Sequence, residues 1–384
     1  MIYLDYNATT PCDARVLQAM LPYFSEKFGN AASKTHPMGW IADQAVKVAR
    51  HQVATLIGAE DAEIIFTSGA TESCNLAIKG VFENYATKGN HIITCGTEHK
   101  AVLDTCEHIE KLGANITYLS VDEAGNIDLE DLENSITDKT ILIALMFANN
   151  ETGTIFPIEK IGAIAQKHQV IFFCDATQAL GKLPINVKSQ GIGMMAMSAH
   201  KIYGTKGVGA IYISRKNPRA KPKPQIDGGG HENGFRSGTL NVPGIVGFGE
   251  ACTIAQNEME LHNSKLEVLR NQLERGLQSI TTLKINGNTA QRLPHVSNVS
   301  FIGYKAERLI AKLNTELAFA VGSACTSASQ KASHVLQAMH LSTELIDGAI
   351  RFSLGRPNTE AEILHSIERI DSALKQYESN IFSP

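Results

Sequence analysis

Short apolar runs alternate with helical patterns from about residue 60 to residue 215. The apolar runs predict strands at 63–68, 91–95, 116–121, 140–146, 170–176, 194–197 and 209–214. The patterns between them predict helices at 71–85, 101–112, 129–136 and 158–168. Apolar strands separated by helices predict an α/β fold with a mostly parallel sheet covered on both faces. Such a sheet carries its ligands at the carboxyl ends of its strands.

The chain after residue 215 predicts a different organisation. Residues 217–234 are rich in Pro, Gly and basic residues, which is typical of a long surface crossing, and 243–280 predicts a long polar helix. Beyond it we predict strands at 296–301, 319–321 and 350–354 and helices at 306–314 and 359–377. We therefore predict a smaller α/β domain at about 283–384.

Composition and charge narrow the function. The chain has 384 residues, 43% of them hydrophobic, with 35 basic and 39 acidic side chains. A net charge of −4 without a long basic run argues against direct nucleic-acid binding. No apolar stretch approaches the roughly 20 residues that span a bilayer, and the first residues lack the features of a signal peptide. We therefore expect a cytoplasmic protein without a membrane partner.

The seven cysteines form no CxxC pair, so neither a zinc ribbon nor any other metal site is predicted. Most should be free thiols in a reducing compartment. Five of them lie in apolar segments and are predicted to be small buried hydrophobes. These five are Cys74, Cys95, Cys106, Cys174 and Cys252.

Three polar motifs follow predicted strands: SGATE at 68–72, CDATQ at 174–178 and SAHKIYG at 198–204. Each has an ordinary explanation alone, as a capped turn, a helix N-cap or a loop lysine. In this order, however, they supply a phosphate cradle, an anionic partner for a pyridinium nitrogen and an amine for a Schiff base. Pyridoxal 5'-phosphate needs these three groups together.

The chain resembles the cysteine desulfurases of the NifS/IscS type, which belong to the fold-type I pyridoxal phosphate enzymes. Nearly the whole chain carries the resemblance. The matching motifs are YLDYNATTP, FTSGATES, TEHKAVLDT, NNETG, DATQA, SAHKIYG, GGGHENGFRSGTLNVP, GSACTSAS and IRFSLGR. The resemblance implies a pyridoxal phosphate-binding large domain at 15–260 and a small domain, formed by 1–14 and 261–384, that carries the reactive cysteine.

The resemblance also implies roles for single residues. Lys201 matches the Schiff-base lysine, Cys325 the persulfide-forming cysteine, and His99 the histidine that stacks on the cofactor and exchanges protons. Asn150 and Arg351 match the residues that hold the substrate carboxylate. The cofactor-binding positions are Ala70, Thr71, His99, Asn150, Asp175, Gln178, Ser198, His200, Lys201 and Thr239.

The position of Thr239 implies a homodimer, because the matching residue reaches the phosphate of the neighbouring subunit. Cys325 lies in a run of small residues, GSACTSAS, with little to bury. We therefore expect a mobile loop that collects sulfur inside the protein and delivers it outside.

The predicted reaction converts L-cysteine to L-alanine and leaves a persulfide on Cys325 for a protein acceptor in iron–sulfur cluster assembly or thiolation. A class V aminotransferase and a selenocysteine lyase remain alternatives, since both share most of these residues. A non-catalytic partner in a sulfur-transfer complex is a further alternative. The intact set of Lys201, Asp175 and Cys325 argues against it.

Overall fold

A computed structural model describes residues 1–216, 219–321 and 332–381, with side chains described up to 376. Its strands are β1 (Ile2–Tyr3), β2 (Ile64–Thr67), β3 (His91–Cys95), β4 (Asn115–Leu119), β5 (Thr140–Met146), β6 (Ile171–Asp175), β7 (Met194–Ser198), β8 (Gly209–Ile213), β9 (Leu283–Asn286), β10 (Val296–Phe301), β11 (Leu317–Ala318) and β12 (Ala349–Ser353). Its helices are α1 (Ala14–Met20), α2 (Pro22–Ser25), α3 (Pro37–Ile57), α4 (Ala70–Asn84), α5 (Lys100–Glu110), α6 (Leu129–Asn134), α7 (Ile158–Lys167), α8 (Val242–Ile280), α9 (Ala306–Leu313), α10 (His334–Ala338), α11 (Thr343–Asp347) and α12 (Glu360–Ile381).

The central sheet has seven strands in the order β2-β8-β7-β6-β5-β3-β4. The five strands from β7 to β4 are parallel to one another, and β8 runs antiparallel to both of its neighbours. An apolar cluster covers each face, which explains why most of these strands are apolar along their whole length. The predicted α/β fold with a mostly parallel sheet is confirmed.

A second sheet has three antiparallel strands in the order β12-β10-β9. It shares a third apolar cluster with α9, α12 and the C-terminal part of α8. The N-terminal part of α8 packs instead into one of the clusters of the central sheet. This long helix therefore links the two cores, and the predicted domain boundary near residue 260 falls within it.

Several elements of the fold differ from the expectation or were not predicted. The short strand predicted at 319–321 is wrong in its position, because β11 ends at Ala318 and pairs with β1 from the start of the chain. The first 60 residues carry α3, a helix of 21 residues for which we had no prediction. No helix among the described residues is long and apolar enough to cross a membrane.

Candidate active site

A cavity of about 410 Å³ opens at the carboxyl ends of the parallel strands. This volume is in the range of small-molecule sites. Nine of the predicted site residues line it, although they come from five distant segments of the chain. They are Ala70, Thr71, His99, Asn150, Asp175, Gln178, Ser198, His200 and Lys201.

One end of the cavity can hold a phosphate. Gly69 caps α4 without a side chain and adopts φ +153°, a conformation that favours glycine. Gly209 keeps this turn close to β8, since a Cβ there would lie 2.7 Å from the Cα of Gly69. The backbone N–H groups at the start of α4 and the side chains of Ser198 and His200 therefore face an open space suited to an anion.

The His200 imidazole is neutral near pH 7. Burial and the positive charges of Lys201 and Lys206 lower its pKa to about 4. Its Nδ1 lies 3.1 Å from the hydroxyl of Thr9. His200 can therefore serve an anion as a hydrogen-bond donor, while Lys206, which also lines the cavity, supplies charge.

The other end of the cavity can hold a flat heteroaromatic ring. Asp175 ends β6 and is 6% exposed. Its Oδ1 accepts hydrogen bonds from the backbone N–H of Thr177 at 3.0 Å and from the Thr177 hydroxyl at 2.5 Å. His99 is the N-cap of α5, where its Nδ1 accepts from the N–H of Ala101 at 3.1 Å. Both side chains are thus fixed in the wall by local backbone contacts.

Lys201 lines the same cavity and lies in the short turn after β7. Its Nζ donates to the carbonyl oxygens of Asn7 and Ala8, at 2.5 and 2.8 Å. The Gln178 amide donates to the same Asn7 oxygen at 3.2 Å, and its own Oε1 accepts from Lys182 at 3.1 Å. The N-terminal segment therefore positions the amine that sequence analysis singled out.

Asn7 is the main residue that the sequence analysis missed. It is 1% exposed, its Nδ2 donates to the carbonyl of Asn150 at 2.9 Å, and its Oδ1 lies 2.8 Å from Nε2 of His295. Thr177 and Lys206 were also missed as single residues. The available signal was their place inside or beside the matched motifs YLDYNATTP, DATQA and SAHKIYG.

Two predicted residues lie outside the lining of the cavity. Arg351, on β12, is 2% exposed and donates to the carbonyl of Asn150 at 3.1 Å and to Asp5 at 2.6 Å. Thr239 is exposed on the loop before α8. Cys325 lies outside the described residues.

Five of the six described cysteines are buried, which makes their thiols unsuited to act as nucleophiles. Cys74 and Cys174 are buried, and burial together with the nearby Asp175 carboxylate raises the pKa of each thiol well above 9.0. Burial also raises the pKa of Cys95 to about 11 and of Cys106 to about 12. The thiol pKa is also raised for Cys252, which is buried, and for Cys12, which is exposed.

The chemistry of the lining fits pyridoxal phosphate. A helix N-terminus with a neutral histidine and a serine suits the phosphate, and a buried carboxylate suits a protonated ring nitrogen. A lysine amine between them suits the aldehyde. Among the described residues no cluster of His, Cys, Asp and Glu could hold a metal ion.

Comparisons with known proteins agree with this geometry. The family model for aminotransferase class-V matches residues 2–365. The cysteine desulfurase IscS of Anaeromyxobacter sp. (strain Fw109-5) is 50% identical over 370 residues, 96% of this chain and 91% of that protein. Cysteine desulfurase IscS of Histophilus somni (strain 2336) is 50% identical over 98% of this chain and 93% of its own length. A solved NifS-like protein superposes with a TM-score of 0.91 at 37% identity, covering 97% of this chain and 99% of that one.

Proposed function

The chain belongs to the aminotransferase class-V family and, within it, to the cysteine desulfurases, and from that membership we propose how its own residues remove sulfur from L-cysteine. The proposed products are L-alanine and a persulfide on Cys325. The observation that carries the proposal is the cavity itself, which gathers nine predicted side chains from five segments of the chain.

Pyridoxal phosphate is the proposed cofactor. When bound, it supplies an aldehyde that joins to amines and a ring that withdraws electrons from the α-carbon of the substrate. Ser198, His200 and the N-terminus of α4 would hold its phosphate. Asp175 would keep a proton on the ring nitrogen, and His99 would lie against the ring.

The remaining residues act on the substrate. Asn150 and Arg351 would hold the carboxylate of L-cysteine, while Nζ of Lys201 takes the proton from the α-carbon. The thiolate of Cys325 then attacks the substrate sulfur, so an S–S bond forms as the Cβ–S bond breaks. A proton added at Cβ and a proton returned to the α-carbon complete L-alanine, and His99 would exchange protons with the substrate thiol.

Substitution of Cys325 tests the proposal directly. The variant Cys325→Ser should still take up the cofactor, seen by its visible absorbance, but should form no persulfide and no alanine above background. Cys12→Ser is the matched control, because Cys12 is the exposed cysteine among those described. Alanine production by Cys325→Ser at the wild-type rate would refute the role of Cys325. A keto acid in place of alanine and sulfide would identify an aminotransferase instead.

We also propose that two copies of the chain form the enzyme. Large apolar side chains are exposed together on α1 to α3 and beside them, including Leu17, Phe24 and Trp40 at 46%, 61% and 53%. Trp40 also lines a groove of about 570 Å³ between α3 and α8. An exposed apolar patch of this kind is typical of a protein–protein interface, and a second copy is the occupant that the Thr239 match implies.

Mixing two inactive variants tests a shared site. Lys201→Ala and Thr239→Ala are each expected to lower activity alone. In a mixed dimer, one site combines the intact Lys201 of one subunit with the intact Thr239 of the other. Co-refolding the variants should therefore restore activity beyond the sum of the two, and no restoration in a confirmed mixed dimer would refute the shared site.

The sulfur acceptor is proposed to be another protein, in iron–sulfur cluster assembly or in a thiolation pathway. The support is the persulfide chemistry, since sulfur bound to Cys325 must pass to a second thiol before the next turnover. Loading the enzyme with radioactive L-cysteine and following the label onto candidate scaffold and thiolation proteins would separate the two destinations.

A further inference from the structure

Arg351 already has a carboxylate partner inside the protein. Its guanidinium donates to Oδ1 of Asp5 at 2.6 Å, and the two side chains are 2% and 16% exposed. A second bond goes to the carbonyl of Asn150, whose residue lines the cavity. The Nε of Arg351 is buried without a hydrogen-bond partner among the described residues.

This arrangement affects how a substrate would meet Arg351. Under the proposed function, on which this inference rests, the same guanidinium must receive the carboxylate of L-cysteine. With Asp5 in contact, Arg351 and Asp5 together are close to neutral, so an incoming carboxylate is attracted by one and repelled by the other. The guanidinium is also absent from the cavity lining and reaches it through its hydrogen bond to Asn150, which does line the cavity.

We propose that Asp5 is a positioning residue: its carboxylate competes with the substrate carboxylate for Arg351 and thereby weakens the binding of amino acids. The benefit lies in product release. L-alanine carries the same carboxylate as L-cysteine, so a guanidinium with no internal competitor would retain the product as well as the substrate.

Two amines that differ only in the carboxylate make the test selective. L-alanine and ethylamine share the amino group and the methyl group, and ethylamine lacks the carboxylate. Binding of each to the cofactor-loaded protein is followed by the change in visible absorbance. In Asp5→Asn the Kd for L-alanine should fall about tenfold, while that for ethylamine stays within about twofold of wild type.

Kinetics provide a second readout. In Asp5→Asn the KM for L-cysteine should fall, and inhibition by added L-alanine should strengthen by a similar factor, because both ligands use Arg351. A purely structural role for Asp5 would raise KM or lower kcat without this selective tightening. Asp5→Ser also removes the charge and should give the same selectivity if Asp5→Asn does not fold.

Asp13→Asn is the matched control. It removes one negative charge from the same N-terminal segment, but Asp13 pairs with Arg15 and Arg356 rather than with Arg351. The inference would be overturned if an Asp5 variant bound L-alanine with unchanged or weaker affinity. It would also be overturned if the affinity for both amines rose equally. If that occurs while the wild type still produces alanine from cysteine, the proposed function stands and this inference alone fails.

The Arg351→Gln variant tests whether Arg351 binds the substrate carboxylate at all. It should weaken the binding of L-alanine and leave the binding of ethylamine unchanged, which would place the substrate carboxylate on Arg351. Equal effects on both amines would instead remove Arg351 from the substrate site, and the inference about Asp5 would be overturned with it.

Discussion

Replacing Asn7 by alanine should destabilise the protein by an amount that its contacts define. The side chain is 1% exposed and bonds to two groups, the carbonyl of Asn150 and Nε2 of His295. Burial and nearby cations hold the pKa of His295 well below 6.5, so its ring is neutral and Nε2–H donates to Oδ1. Alanine leaves this buried N–H without its partner.

The two lost bonds are not equivalent. The orphaned Nε2–H costs about 1–3 kcal/mol, the usual penalty for an unsatisfied buried polar group. The Asn150 carbonyl still accepts from Arg351 at 3.1 Å, so its loss is limited to about 0.5–1.5 kcal/mol for one hydrogen bond. Together they predict a loss of about 3 kcal/mol in the free energy of unfolding.

Urea unfolding of the cofactor-free chain measures this loss. With a slope of about 3 kcal/mol per molar urea, the midpoint should fall by about 1 M. Asn134→Ala, at an exposed position at the end of α6, is the control and should shift it by less than about 0.2 M. Equal midpoints for the two variants would show that the Asn7 contacts do not stabilise the fold.

Three further predictions concern titratable side chains inside the protein. Since burial lowers the pKa of His200 from 6.5 to about 4, the unfolded chain binds more protons in this interval. Stability of the cofactor-free protein should therefore fall as pH drops from 6.5 towards 4, and His200→Gln should flatten that slope in urea titrations. Burial lowers the pKa of Lys182 from 10.5 to about 7, so the free energy of unfolding should rise between pH 7 and 10.5. If the dependence of this free energy on pH is unchanged in Lys182→Met, the prediction is contradicted. The side chain of Glu232 is 1% exposed and pairs with Arg50, so Glu232→Gln should cost about 3–5 kcal/mol in thermal unfolding. A loss below about 1 kcal/mol would argue against that pair.

The strands of the central sheet were predictable because local sequence determines them. A strand buried on both faces is apolar along its length, and the runs at β3 and β5 have the predicted bounds. The position of β11 was not predictable in the same way. It pairs with β1, more than 300 residues earlier, and no local pattern reveals a partner at that distance.

The site residues differ in the same way: some could be predicted from local sequence and others could not. Residues at the carboxyl ends of parallel strands, such as Asp175 and Ser198, were found because those ends meet at one edge of the sheet. Asn7 and Asp5 were not found, since their roles depend on where the N-terminus lies against other segments. The resemblance supplied Arg351, but only the structure shows that its guanidinium is paired with Asp5.

The segment that holds these contacts is a single turn. The carbonyl of Leu4 accepts a hydrogen bond from the N–H of Ser353 at 2.8 Å. This bond joins the N-terminal segment to β12, and Asp5 therefore lies beside Arg351. The N–H of Ala8 then donates to the carbonyl of Asp5 at 3.0 Å, closing a turn over residues 5–8. Such a turn leaves the carbonyls of its later residues without partners inside it, and here those of Asn7 and Ala8 accept from Lys201. Because one turn contacts the guanidinium from β12 and the amine that follows β7, a change in its geometry would shift both together.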